Sequence, residues 1–189
     1  MPDHLLITGT SHTGKSTLAA RIGTALGWPV TSTDRMARHP GRPWENAPEH
    51  VLEFYQKMSA HSVHTFLKHH HQNMRPIIAR FVAEMRDQQR PFVLEGAALR
   101  PEYIAELDGT AICLHASEAF LADRIRRSAL YDNQTPALKQ ATDVFIARSL
   151  GENALFLAAS QAHAIPIIDV MDDDAITEFA DEFLKRAEI

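Results

Sequence analysis

Cysteine is almost absent from this chain: Cys113 is the only one among 189 residues. That excludes an intramolecular disulfide and a zinc site built from several thiolates. Cys113 has apolar neighbours, so it is read as an inert core thiol. Basic excess is also lacking, since 19 Lys and Arg stand against 24 Asp and Glu for a formal net charge of −5. Nucleic acids and anionic membranes recruit proteins through positive charge, so neither is expected as a partner. Any bound anion has to meet a local basic cluster. No uninterrupted apolar stretch reaches the roughly 18 residues needed to span a bilayer. Met1-Pro2-Asp3-His4 contains no charged and apolar leader, and a soluble, cytoplasmic protein is expected. Internal repeats and low-complexity tracts are missing too.

What is present is a 45% hydrophobic chain of single-domain size, residues 1–189, with apolar runs alternating with helical periodicity. That alternation calls for an α/β fold in three layers, a five-stranded parallel sheet covered on both faces. The strands are read at Leu5-Leu6-Ile7, Trp28 to Thr33, Phe92-Val93-Leu94, Thr110 to His115 and Ile165 to Val170.

Between the first strand and the first helix stands Gly9-Thr10-Ser11-His12-Thr13-Gly14-Lys15-Ser16, a complete match to the phosphate-binding loop G-x-x-x-x-G-K-[ST]. Its glycines let backbone N–H groups turn inward as a nest, and the following helix aims its positive end at the same point. Lys15 would reach the terminal phosphates and the Ser16 hydroxyl would join the shell of a Mg²⁺ ion. Thr17 can add a hydroxyl or amide. The motif assigns no role to His12.

Asp34 ends the second strand, where open parallel sheets bind ligands; it reads either as a site carboxylate or as the cap of a following helix. Residues 36–48 read as an irregular segment over the site, with Arg35, Arg38 and Arg42 as anion ligands or solvated loop charges. A long helix is expected over 49–72, broken near Ser59-Ala60, and a second from Pro76 to Pro91, together a helical substrate-binding region (35–90). His61, His64 and His69-His70-His71 read as a solvated helix end, because adjacent helical residues cannot converge on one metal.

Glu95, with Gly96 behind it, is a candidate substrate or metal-water ligand at the end of the third strand, or an acid paired to an arginine. In Asp123-Arg124-Ile125-Arg126-Arg127, Arg124 and Arg127 share a helix face and could bracket a phosphoryl group, the alternative being a solvated basic face. A small lid is read over 119–149. A helical stretch over 138–162 carries Arg148 and is expected to break near Gly151. Asp173 or Asp174 is read as the cap of the last helix.

These features together resemble the small P-loop kinases, a group that includes the nucleoside monophosphate and shikimate kinases. A weaker similarity runs to the 2-phosphoglycerate kinase group through Ser32-Thr33-Asp34, Leu94-Glu95-Gly96 and Ala164 to Ile168. The resemblance covers nearly the whole chain and implies strand order 2-3-1-4-5, use of ATP and Mg²⁺, and a small-molecule acceptor. Asp123-Arg124-Ile125 is similar to the segment leading into the adenylate kinase lid, which implies that Arg124 packs on the adenine. The Gly-rich run of shikimate kinases is missing, since Gly96-Ala97-Ala98 has one glycine. The paired acids and arginines of the adenylate kinase lid are missing too, with Tyr131-Asp132-Asn133 in that region.

The reading is therefore an ATP-dependent kinase, monomer or homodimer, acting on a hydroxyl of an acidic or phosphorylated metabolite or on a nucleotide. Catalytic roles fall to Lys15, Asp34, Arg124 and Arg127, and acceptor binding to Asp34, Arg35, Arg38 and Glu95. The rival is an ATPase or nucleotide switch; a GTPase would need an Asn-Lys-x-Asp segment that is absent.

Overall fold

The computed structural model describes residues 4–44 and 46–187. Its sheet contains β1 (His4–Thr8), β2 (Val30–Ser32), β3 (Phe92–Glu95), β4 (Thr110–His115) and β5 (Ile167–Asp169), in the order β2-β3-β1-β4-β5. Every pairing is parallel. The central strands are apolar on both sides because both sides are covered. Leu5 and Ile7 join a core layer with Val93, Ile112 and Leu114, while Leu6, Leu94 and Cys113 face the other layer. Cys113 is buried as expected.

The helices are α1 (Lys15–Leu26), α2 (Glu49–Lys57), α3 (Ala60–Asp87), the single turn α4 (Pro101–Ile104), α5 (Glu118–Ser128), α6 (Pro136–Ala162) and α7 (Asp173–Ala187). Local chemistry sets their ends. Gly27, at φ 67°, closes α1 in the left-handed conformation that glycine adopts without strain. Ser59, Ser117 and Thr135 cap α3, α5 and α6, each accepting an N–H from three residues on. The cap of α7 is Asp172, whose carboxylate accepts from Ala175 N–H, one residue earlier than expected. No helix among the described residues is long and apolar enough to cross a membrane.

Two expected breaks do not occur. The chain does break at Met58-Ser59, but α3 then runs straight through Pro76. A proline there removes one backbone hydrogen bond, yet Val63, Leu67, His71, Met74, Ile78 and Val82 form one continuous buried stripe on both sides of it. Gly151 likewise leaves α6 intact, since Phe145, Ile146, Ser149, Glu152, Asn153 and Phe156 stay buried across it. Burial outweighs the local cost in both helices. Residues 119–149 are accordingly α5, a 3-10 turn at Tyr131–Asn133 and the first half of α6, with Leu121, Ile125, Ala141 and Phe145 in the core.

Candidate active site

The loop between β1 and α1 needs both its glycines. Gly9 sits at φ 141°, where an added Cβ would lie 2.5 Å from the Leu114 carbonyl oxygen, and Gly14 at φ 87° is the N-cap of α1. No side chain caps α1, so its first amides stay available to an anion. Lys15 is buried and donates to the Thr10 carbonyl at 2.7 Å. Burial lowers its pKa, opposed by Glu95, Asp34 and Glu152. Ser16 Oγ donates to Glu95 Oε1 at 3.1 Å, which brings the expected metal hydroxyl and the acid of β3 together.

Behind the loop lies a polar network that inspection of the sequence missed. Thr10 Oγ1 donates to Glu152 Oε2 at 2.6 Å, and Arg148 donates to Glu152 at 3.1 Å and to Ser11 Oγ at 3.2 Å. All of the Glu152 side chain is buried. Burial alone would raise its carboxyl pKa; Arg148 first, with the Thr10 hydrogen bond and Arg100, outweighs it and lowers the pKa below the usual carboxylate value. The signal in the sequence was the Arg–Glu spacing of four within a helix.

His12 occupies a left-handed position, φ 66°, with its ring against Trp44 and Phe145 at centroid distances of 6.0 and 6.1 Å. Burial, then the cations Arg42, Lys15, Arg124 and Arg148, push its pKa down to about 3. His12 is therefore an uncharged wedge.

The loop opens onto a cleft of about 400 Å³. Into it come Thr33 and Asp34 from the end of β2, His39 and Arg42 from the irregular segment, and Leu67, His70, His71 and Met74 from α3. Glu95, Ala97 and Ala98 follow from β3, Arg124 and Ser128 from α5 and Arg148 from α6. Ser32, not Asp34, caps the 3-10 turn Thr33–Arg35. Asp34 instead lies 3.5 Å from His39 Nε2, and that hydrogen bond, against the cost of burial, holds its carboxyl below the usual range.

Several expected residues stand elsewhere. Arg124 reaches the loop, its Nη1 3.8 Å from where a Cβ on Gly14 would be. Arg127 does not line the cleft and pairs with Asp123 at 2.6 Å on an exposed face. The core stripe Leu121, Ala122, Ile125 and Ala129 fixes this, since at about 100° per residue Arg127 falls opposite it. Arg35 and Arg38 are exposed and line no part of the cleft. Of the histidines read as a solvated helix end, His70 and His71 face the cleft, and His71 is 6% exposed. The clue was positional, because His71 occupies the slot after Leu67 in the apolar stripe. Among the described residues no group of His, Cys, Asp and Glu could hold a metal by itself.

This architecture is that of the small P-loop kinases. Similar solved structures include a gluconokinase from Sinorhizobium meliloti 1021, at 16% identity over 98% of this chain and 97% of that one, TM-score 0.55. A deoxyadenosine kinase from M. mycoides with bound dATP matches at 13% identity over 98% of this chain and all of that one, TM-score 0.54. A shikimate kinase from Bacteroides thetaiotaomicron matches at 16% identity over 100% of both chains, TM-score 0.50. The chain belongs to the AAA domain family, whose model matches residues 5–142. No curated protein matches it in sequence.

Proposed function

We propose that this protein is an ATP-dependent phosphotransferase that moves the γ-phosphoryl group onto a hydroxyl of a small molecule. One observation carries the reading: the phosphate loop, with Lys15 and Ser16, and the Asp34 carboxylate open onto the same cleft. Left-handed glycines, free helix amides and a buried lysine fit a triphosphate, and the Ser16 to Glu95 contact fits the outer shell of a divalent ion.

In this account the loop amides up to Ser16 and the Lys15 ammonium hold the β and γ phosphates, and Arg124 packs against the nucleotide. Ser16, with Glu95 beside it, would hold Mg²⁺, which supplies neutralisation of charge on the phosphates. Arg148 takes the phosphoryl-stabilising role first given to Arg127, because it is buried, fixed by Glu152 and turned toward the loop. Asp34 accepts the hydroxyl proton as the acceptor oxygen bonds to the γ-phosphorus and the β–γ bridging bond breaks, its electron pair leaving on ADP. The enzyme's contribution is alignment and charge placement.

A coupled ADP assay tests this against the rival in the same fold. The expected result is ADP formation that depends on an added acceptor and is lost in Asp34→Asn. Phosphate release at full rate with no acceptor would identify an ATPase instead.

A further inference from the structure

The phosphate motif leaves the residues between its glycines free, yet in this chain two of them are committed to α6. Thr10 Oγ1 donates to Glu152 Oε2 at 2.6 Å, and Arg148 Nη1 donates to that same oxygen at 3.1 Å. Arg148 Nη2 donates to Ser11 Oγ at 3.2 Å, and the guanidinium carbon lies 4.3 Å from the centre of the Phe145 ring. The Thr10 carbonyl in turn accepts from Lys15 Nζ at 2.7 Å and from Thr13 Oγ1 at 2.9 Å. One carboxylate oxygen of Glu152 therefore ties the arginine of α6 to the loop residue on which Lys15 rests.

Stability does not explain this arrangement. Thr10, Arg148 and Glu152 are all buried, and a buried ion pair loses in hydration about as much as its attraction returns, so an apolar set of the same volume would pack α6 against the loop as well. What apolar packing lacks is direction. Charge-assisted hydrogen bonds to one fixed oxygen set where Thr10 and the guanidinium stand relative to each other. The loop needs such a reference, since it hangs between Gly9 and Gly14, the residues with the freest backbone. Electrostatics by itself argues against an acid here, because a negative charge behind the loop repels a triphosphate. The acid serves the site through what it holds.

Resting on the triphosphate site proposed above, we infer that Glu152 is a positioning residue, which sets the phosphate loop and the Arg148 guanidinium in one register through the Thr10 hydroxyl. Neither the Glu152 nor the Thr10 side chain lines the cleft. They act through Lys15 and Arg148, and the group that feels them most is the outermost phosphate, where both cations converge in the account above.

Calorimetry with Mg·ATP and Mg·ADP tests this without an acceptor. Thr10→Val removes the hydroxyl, keeps the shape and leaves the Arg148–Glu152 pair in place, whereas Thr10→Ser keeps the hydroxyl. The expected result is a Mg·ATP dissociation constant about 10-fold higher in Thr10→Val, a smaller change for Mg·ADP, and recovery of both in Thr10→Ser. Glu152→Gln should also weaken Mg·ATP, and the double variant should be little weaker than the weaker single one, because both substitutions remove the same contact. Circular dichroism establishes folding, and if one of the two positions does not tolerate its substitution the other decides. Wild-type affinities in Thr10→Val, equal losses for both nucleotides, or a serine variant as weak as the valine one would overturn the inference. Unchanged or tighter Mg·ATP binding in Glu152→Gln overturns it too, since the acid would then act by its charge or not at all, as do fully additive losses in the double variant. Each of these leaves the triphosphate site standing, because the wild type still binds. No heat with wild-type protein and Mg·ATP removes the site and this inference together.

Discussion

Arg127 and Arg148 show that a guanidinium's neighbours decide its role. The first is held by Asp123 in solvent, where an exposed pair is worth about 1 kcal/mol or less. The second is buried between Glu152 and Ser11 at the cleft. Arg127→Ala should leave turnover near wild type. Arg148→Lys, chosen because it keeps a charge beside Glu152, should lower kcat on the order of 10²-fold or more, since an ammonium cannot reproduce the two-pronged contact. Steady-state rates on both variants check this, and equal rates would contradict it.

His71 gives a pH prediction. Its pKa falls from 6.5 in the unfolded chain to about 4 in the native one. Between these values the unfolded chain binds a proton that the native ring refuses, so stability falls as pH drops through that window and is fully present above 6.5. The contribution is on the order of 3 kcal/mol. Urea denaturation at pH 7 and pH 4.5 should show a larger loss for wild type than for His71→Gln, and parallel losses would contradict it. Lys15, Ser16, Asp34 and Glu95 were legible in the sequence because a motif and strand ends mark them. His71, Arg148 and Glu152 were not, because only packing between α3, α6 and the loop turns them toward the site.

Among the elements, the short ones were easier to read than the long ones. β4 and the start of α5 fall where apolar runs and Ser117 put them. Pro76 and Gly151 misled, because each signals a break locally while the buried stripe on either side holds the helix together. If that account of α6 is right, glycine at 151 only weakens a helix that is continuous anyway. A Cβ there meets nothing within 4 Å, so Gly151→Ala should stabilise the protein by about 0.5–1 kcal/mol. A thermal melt checks this; a destabilised variant would mean that the helix needs its glycine.

At the scale of the whole molecule, the parallel sheet followed from the alternation of strands and helices, the strand order from the resemblance to the small P-loop kinases, and the position of the site from the loop after β1. Which arginines enter the cleft did not, because Arg124 and Arg148 are brought there, and Arg127 kept out, by the packing of the helices. The central claim is that the loop from Gly9 to Ser16 grips a magnesium-bound triphosphate through Lys15. Calorimetric titration of Mg·ATP into wild-type protein and Lys15→Ala tests it most directly. The account predicts one-site binding heat for wild type and its loss in the variant; no heat for wild type, or equal affinity in both, would contradict it.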